Sequence, residues 1–285
     1  MSAASSSETS TGFKIQDVFQ HLWSDYTAFN PQAKRIYDLL LAREQKAEPT
    51  LHSLANDHIA LRTFNIPRIG LEALSRLFER HGYAKGGEYE FKDKKLRAWH
   101  LEHPDESLPR VFISELELEK LSSFVRETAE AAAESLTTED VSREDFLWSR
   151  RKWKASHATY LKLLEESEYA AWMYAFGFRS NHFTISFNAL ETFKDLQELN
   201  QFIRAQGIEL NVSGGEIKGS PAVYLEQSST LAEPTQVTFD EGTKTIPACY
   251  YEFARRYPLP DGQLYQGFVS SSADKIFEST DVKKK

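Results

Sequence analysis

Apolar side chains recur every three or four residues from Phe13 onward: Ile15, Val18, Phe19, Leu22 and Trp23 fall on one face of a helix. A second helix is expected over about Ala33 to Arg43, after "NPQ", with Ile36, Leu39 and Leu40 on its apolar side. The period then drops to two. In "NDHIALRTF", residues 56–64, Ile59 and Leu61 alternate with His58, Ala60 and Arg62. Successive strand side chains point to opposite faces, so His58 and Arg62 share a side while Ile59 and Leu61 face a core. Leu71, Leu74, Leu77 and Phe78 restore helical spacing, and Gly82 stands where a helix-ending glycine belongs. "YEFKDKKLRAWHLEH" and "RVFISELEL" read as two or three strands with polar turns.

From about Leu116 to Phe176 the chain is rich in Ala, Glu, Leu and Lys at helical spacing. This predicts a helical connector whose charge run is a solvated face. Then the first pattern returns. "NHFTISFN" sets His182, Thr184, Ser186 and Asn188 against Phe183, Ile185 and Phe187, and a helix carrying Leu196, Leu199, Phe202 and Ile203 stops at Gly207. The interval from His182 to Gly207 matches that from His58 to Gly82 to within one residue. "AVYLEQSS", "TQVTF" and "PACYYEFARRY" are expected to be the strands that complete a second unit. Matched order and spacing in diverged sequence is an internal repeat. Each of its two first strands carries a histidine on the polar face.

Composition narrows the function. With 285 residues and 41% hydrophobic content the chain can bury a sizeable core. A formal net charge of −8 argues against nucleic acid or an anionic membrane as partner. One cysteine, Cys249, excludes an internal disulfide and any cysteine-rich zinc site, and suits a reducing compartment. No apolar run approaches the roughly 20 residues that span a bilayer. The opening "MSAASSSETSTG" lacks the apolar core or arginines of a targeting signal, so it reads as a disordered tail of a cytoplasmic protein.

If the two units pack with pseudo-twofold symmetry, His58 and His182 point into one cleft. Two neutral imidazoles suit a divalent metal but are too few to hold it. A carboxylate is the natural third ligand. Glu252 in "CYYEFARRY" is the best placed, on a strand among aromatic residues; an ion pair with Arg255 or Arg256 is the competing reading. Glu115, ending the matching strand of the first unit, is either a fourth ligand or an ordinary polar strand end. Three ligands leave open positions and favour Fe(II) and oxygen, whereas four favour a closed-shell Lewis acid. Arg62, on the face of His58, is a ready carboxylate clamp unless a surface acid engages it. Lys218 and Ser220, on the Gly-rich turn "SGGEIKGSPAVY", could reach the cleft or belong to a mobile loop.

At these residues the sequence resembles the 2-oxoadipate dioxygenase/decarboxylases, a family long catalogued as a conserved domain of unknown function. The resemblance runs from about Phe13 to Thr280 and rests on "DHIALRTF", "SNHFTISFN", "SGGEIKGSPAVYLEQSST", "YYEFARRY" and "GFVSSSADKIFEST". It implies an α+β fold in which two vicinal-oxygen-chelate-like βαβββ modules form a curved mixed sheet around a metal cleft. The expected organisation is a tail at 1–12 and one catalytic domain at 13–280. Within it lie an N-terminal helical segment, module one (about 54–118), a helical connector (about 119–176), module two (about 178–257) and a C-terminal segment (258–280). A tail follows at 281–285. The resemblance makes His58, His182 and Glu252 ligands of Fe(2+), Arg62 a catalytic, substrate-binding arginine, and Val269 and Ser270 part of the substrate pocket. The implied reaction converts 2-oxoadipate and O2 to 2-hydroxyglutarate and CO2, a step of lysine catabolism. The alternatives are a vicinal-oxygen-chelate lyase or isomerase using Zn, Ni or Mn with Glu115, and a non-catalytic module that captures a small dicarboxylate.

Overall fold

Two helices, α1 (Ile15–Phe29) and α2 (Pro31–Ala47), lead the structure, a computed structural model that describes residues 12–280. The tails expected at the two ends lie outside the described residues, Gly12 apart. Asn30 separates the helices: its side chain caps Ala33 N of α2, and Pro31 occupies the first helical position, where no N–H is needed. The chain then runs β1 (Asn56–Phe64), α3 (Leu71–Glu79), β2 (Ala84–Phe91), β3 (Leu96–Glu102) and β4 (Arg110–Leu116). The connector follows as α4 (Ser123–Glu134), α5 (Thr138–Ser142), α6 (His157–Glu166) and α7 (Glu168–Phe176). The rest comprises β5 (Ser180–Ser186), α8 (Leu196–Ala205), β6 (Lys218–Ser220), β7 (Leu225–Ser229), β8 (Pro234–Phe239), β9 (Gly242–Pro247), β10 (Glu252–Arg256) and α9 (Ser270–Phe277).

Eight strands form one mixed sheet in the order β2-β3-β4-β1-β5-β10-β7-β6. The order is a mirrored repeat. β1 lies parallel to β4 and β5 parallel to β10, and the two units meet where β1 runs antiparallel to β5. Both βα units end on glycines with positive φ, Gly82 at 91° and Gly207 at 77°, conformations that cost glycine little. The sheet is curled, since α9 packs against β2 at one edge and against β6 and β7 at the other. Among the described residues no helix is long and apolar enough to cross a membrane.

Two expectations about the second unit need correction. "TQVTF" is β8 and pairs with β9 in a separate hairpin, outside the main sheet. The strand it was assigned to is supplied by Lys218–Ser220, which forms the edge strand β6 where a turn was expected. Three residues are too few to show a period of two, so this strand had no sequence signature. Asn188 also leaves the face of β5. It sits in the following turn, where its side chain brackets the backbone of Arg256, accepting from its N–H (2.8 Å) and donating to its carbonyl (2.9 Å).

The face of β5 opposite His182 packs on α1. Trp23 and Tyr26 both lie 5.1 Å from the ring of Phe183, and Tyr251 joins the same aromatic cluster. A buried ion pair pins this layer to the start of β5: Arg179 donates to Asp25 at 2.7–2.9 Å, both side chains being under a tenth exposed. The connector splits in character. α4 shows the solvated face expected of it, through Arg126, Glu127, Glu130 and Glu134, but α7 is buried nearly all round from Tyr169 to Phe176. Removing one partner of a buried pair leaves an uncompensated charge. Asp25→Ala is therefore expected to lower unfolding free energy by about 3–5 kcal/mol in urea titration, whereas Lys34→Ala, which breaks the exposed Lys34–Asp38 pair, should cost under about 1 kcal/mol.

Candidate metal centre

The meeting of the two units at β1 and β5 decides the geometry of the site. Ala60 pairs with His182 and His58 with Thr184 across this seam, so the two histidines stand diagonally on one face of the sheet. Parallel pairing of β10 with β5 then sets Glu252 beside Thr184. The result is a buried group of three: His58, His182 and Glu252 are each at most 3% exposed. The Nε2 atoms of the histidines are 3.4 Å apart, Glu252 Oε2 lies 3.2 Å from His182 Nε2, and Glu252 Oε1 lies 3.7 Å from His58 Nε2.

What surrounds these groups leaves their lone pairs facing one another. Asp57 Oδ1 is 2.8 Å from His58 Nδ1 and Asn181 Oδ1 is 3.2 Å from His182 Nδ1. Both are acceptors, which assigns the ring protons to the Nδ1 atoms and aims both Nε2 lone pairs at the centre. Thr184 donates to His58 Nε2 (3.1 Å) and Gln227 Nε2 donates to Glu252 Oε1 (2.5 Å), while Glu252 Oε2 is buried without a partner. Burial pushes the Glu252 carboxyl up to about 8, against the pull of the Gln227 hydrogen bond. Burial also lowers His58, and lowers His182 well below its usual range with help from the charges of His58 and Arg62.

An acceptor-rich, dry cluster of this kind wants a cation. Two imidazoles and a carboxylate bonded at about 2.0–2.2 Å to one ion would stand roughly 3–3.5 Å apart, close to the spacing found. The donor set therefore fits a divalent metal. Asp57 is itself held by Arg256, whose Nε and Nη2 donate to its two oxygens at 2.7 and 2.9 Å. Burial alone would raise the Asp57 carboxyl, but the charge of Arg256 and the hydrogen bonds from His58 and Arg256 hold it far below the carboxylate range.

Arg256 is thus not the partner of Glu252, and Arg255 lies over the rings of Phe187 and Tyr257 instead. Glu115 does not join the group. It sits beside Thr63 in register, on the other face, where it takes hydrogen bonds from Arg97 and from Leu71 N at the start of α3. Arg62 is buried in line with His58, its guanidinium 4.8 Å from the ring of Tyr169 and 5.1 Å from that of Trp172. An acid does engage it, as the competing reading expected: its Nη1 lies 3.2 Å from the partly exposed Glu168. Lys218 is buried with its Nζ on the Asn211 carbonyl. Burial brings the amine down to about 8, although the charge of Glu252 favours the ammonium. Ser220 is half-buried at the end of β6, and Val269 and Ser270, half-buried, begin α9 next to Phe268, whose ring meets His58 edge-on at 4.8 Å.

Sequence reasoning missed Asp57, Asn181, Gln227, Phe268 and Tyr250, a buried phenol stacked on His182 at 4.7 Å. A signal for the first two was present: "DH" and "NH" place an acceptor immediately before each histidine at equivalent points of the repeat.

Comparison with known proteins finds relatives over nearly the whole chain. The sequence model of the 2-oxoadipate dioxygenase/decarboxylase family matches residues 18–144 and 140–263. The chloroplastic 2-oxoadipate dioxygenase/decarboxylase of Arabidopsis thaliana is 34% identical over 98% of this chain and 81% of its own. The hydroxyglutarate synthase of Oryza sativa, solved in complex with 2-oxoadipate, superposes with a TM-score of 0.84 at 30% identity, covering 98% of both chains. A protein of Shewanella frigidimarina NCIMB 400, carried under a provisional hydrolase name, superposes at 0.86 with 45% identity over 92% of this chain and 100% of its own. In fold alone, a protein of Ralstonia eutropha JMP134 provisionally assigned to the glyoxalase superfamily is similar at 0.70 and 21% identity, over 89% of this chain and 85% of its own.

Two outcomes follow from the geometry. A Glu252 carboxyl that titrates near 8 carries its proton at pH 7 in the metal-free protein, while both lowered histidines are already neutral. Binding a divalent cation at pH 7 should then release close to one proton and tighten as pH rises toward 8. Calorimetry in two buffers of different ionisation enthalpy measures this, and no release at pH 7 would contradict it. Asp57→Asn should weaken metal affinity by about 10- to 100-fold in a competition titration, since it removes the charged acceptor that orients His58.

Proposed function

We propose that this chain, which belongs to the 2-oxoadipate dioxygenase/decarboxylase family, is an Fe(II)-dependent enzyme that converts 2-oxoadipate and O2 to 2-hydroxyglutarate and CO2. The observation that carries the proposal is the buried convergence of His58, His182 and Glu252 without a fourth protein ligand among the described residues. In this reading these three residues hold the metal. Ferrous iron with open positions supplies oxygen activation and a chelation site for a 2-oxo acid. The seat of Glu115 on the opposite face speaks against a four-ligand lyase or isomerase.

The remaining residues bind, orient and keep the site dry. In this reading Arg62, ordered by its contacts with Tyr169, Trp172 and Glu168, shares its guanidinium between Glu168 and a substrate carboxylate, so less freedom is lost on binding. Phe268 packs edge-on against His58, and in this reading its neighbours Val269 and Ser270 are further substrate contacts. Lys218 adds positive charge near Glu252 on the same sheet face, and Ser220, two residues on, shares that face as a further contact. The cytoplasm, a reducing compartment, suits the buried thiol of Cys249.

After anaerobic loading with ferrous iron, the protein should consume O2 and release CO2 in equal amounts when 2-oxoadipate is added. Oxygen uptake that substrate does not change would contradict the proposal. His182→Ala should lose both metal and turnover with the melting transition retained, and Arg62→Lys should raise KM by about tenfold or more through loss of the bidentate fork. If chelation of the metal leaves 2-oxoadipate affinity intact, the chain is a binding module instead.

A further inference from the structure

Tyr250 lies two residues before Glu252, in the segment that leads into β10. It is wholly buried, its ring stacks on His182 at 4.7 Å and 27°, and its hydroxyl has no hydrogen-bond partner. The backbone beneath it is fixed, because Tyr26 of α1 donates to the Tyr250 carbonyl. A buried O–H with nothing to bind is uncommon in folded proteins, and at a site it points to a ligand. His182, on which the ring stacks, pairs with Ala60, two residues before Arg62 on β1, so Arg62 shares the sheet face on which the phenol packs.

Resting on the function proposed above, we infer that Tyr250 is a substrate-binding residue whose hydroxyl donates a hydrogen bond to the carboxylate that Arg62 holds. The two side chains make a mixed clamp. Arg62 supplies charge and the planar fork, and the neutral phenol supplies one further donor with little freedom to lose, since stacking on His182 already sets its ring. The clamp also ties substrate position to the metal group, because the ring that carries the donor packs on a ligand imidazole. Tyr251 is a built-in control: its hydroxyl is also buried without a partner, but its ring packs on Trp23 and Phe253, in the layer beneath α1.

The test is Tyr250→Phe beside Tyr251→Phe and wild type, each loaded with ferrous iron. Tyr250→Phe should keep its metal content and raise KM for 2-oxoadipate by about tenfold or more, the scale of a lost hydrogen bond to a charged group, while Tyr251→Phe keeps the wild-type KM. A second reading needs no turnover. The rise in melting temperature that 2-oxoadipate gives the anaerobic iron protein should shrink for Tyr250→Phe only. A KM within twofold of wild type, or a loss confined to kcat, overturns the inference and leaves the function standing. A wild-type protein inert toward 2-oxoadipate overturns both.

Discussion

Once Glu252 has lost its proton, two imidazole lone pairs held 3.4 Å apart, with a carboxylate oxygen beside them, form an arrangement that repels itself. Much of the structure keeps it in place. Asp57 and Asn181 fix the ring protons on the outer nitrogens, Gln227 restrains the carboxylate, and Arg256 secures Asp57. Arg256 also donates to the carbonyls of Tyr265 and Gly267, so it ties the segment that carries Phe268 to the orientation of His58. Burial denies water to the group, and a cation is the partner that resolves it.

Duplication explains the positions and divergence explains the chemistry. With His58 equivalent to His182, the register of β1 with β4 makes Phe112 the counterpart of Glu252. The first unit therefore supplies a histidine and Arg62, and the second a histidine and the acid. Phe112 packs on Phe268 at 4.9 Å in place of a fourth ligand. A symmetric pair would surround an ion with four protein groups. This asymmetric one supplies three, two imidazoles and one carboxylate.

The sequence was legible where a period could form. β1 occupies residues 56–64 as alternation indicates, α3 and α8 stop where glycine allows, and the paired histidines face one cleft because strands alternate strictly. Residues that act through tertiary pairing were not legible. Glu115 looked equivalent to Glu252 from its strand position, but it lies an odd number of residues beyond Phe112, the true counterpart, and so on the opposite face with Arg97. Gln227 and Arg256 belong to short strands whose neighbours are set only by the folded sheet. α7, read as part of a solvated connector, instead supplies the walls around Arg62 through Glu168, Tyr169 and Trp172.

The central claim is that one metal ion is held by two histidines and one carboxylate, with positions left for substrate. X-ray absorption at the iron edge of the anaerobically loaded protein, with and without 2-oxoadipate, tests it most directly. The account predicts two imidazole nitrogens and oxygen donors without sulfur, and replacement of water oxygens by a chelating 2-oxo acid when substrate is added. A fully protein-bound shell that substrate leaves unchanged would contradict it.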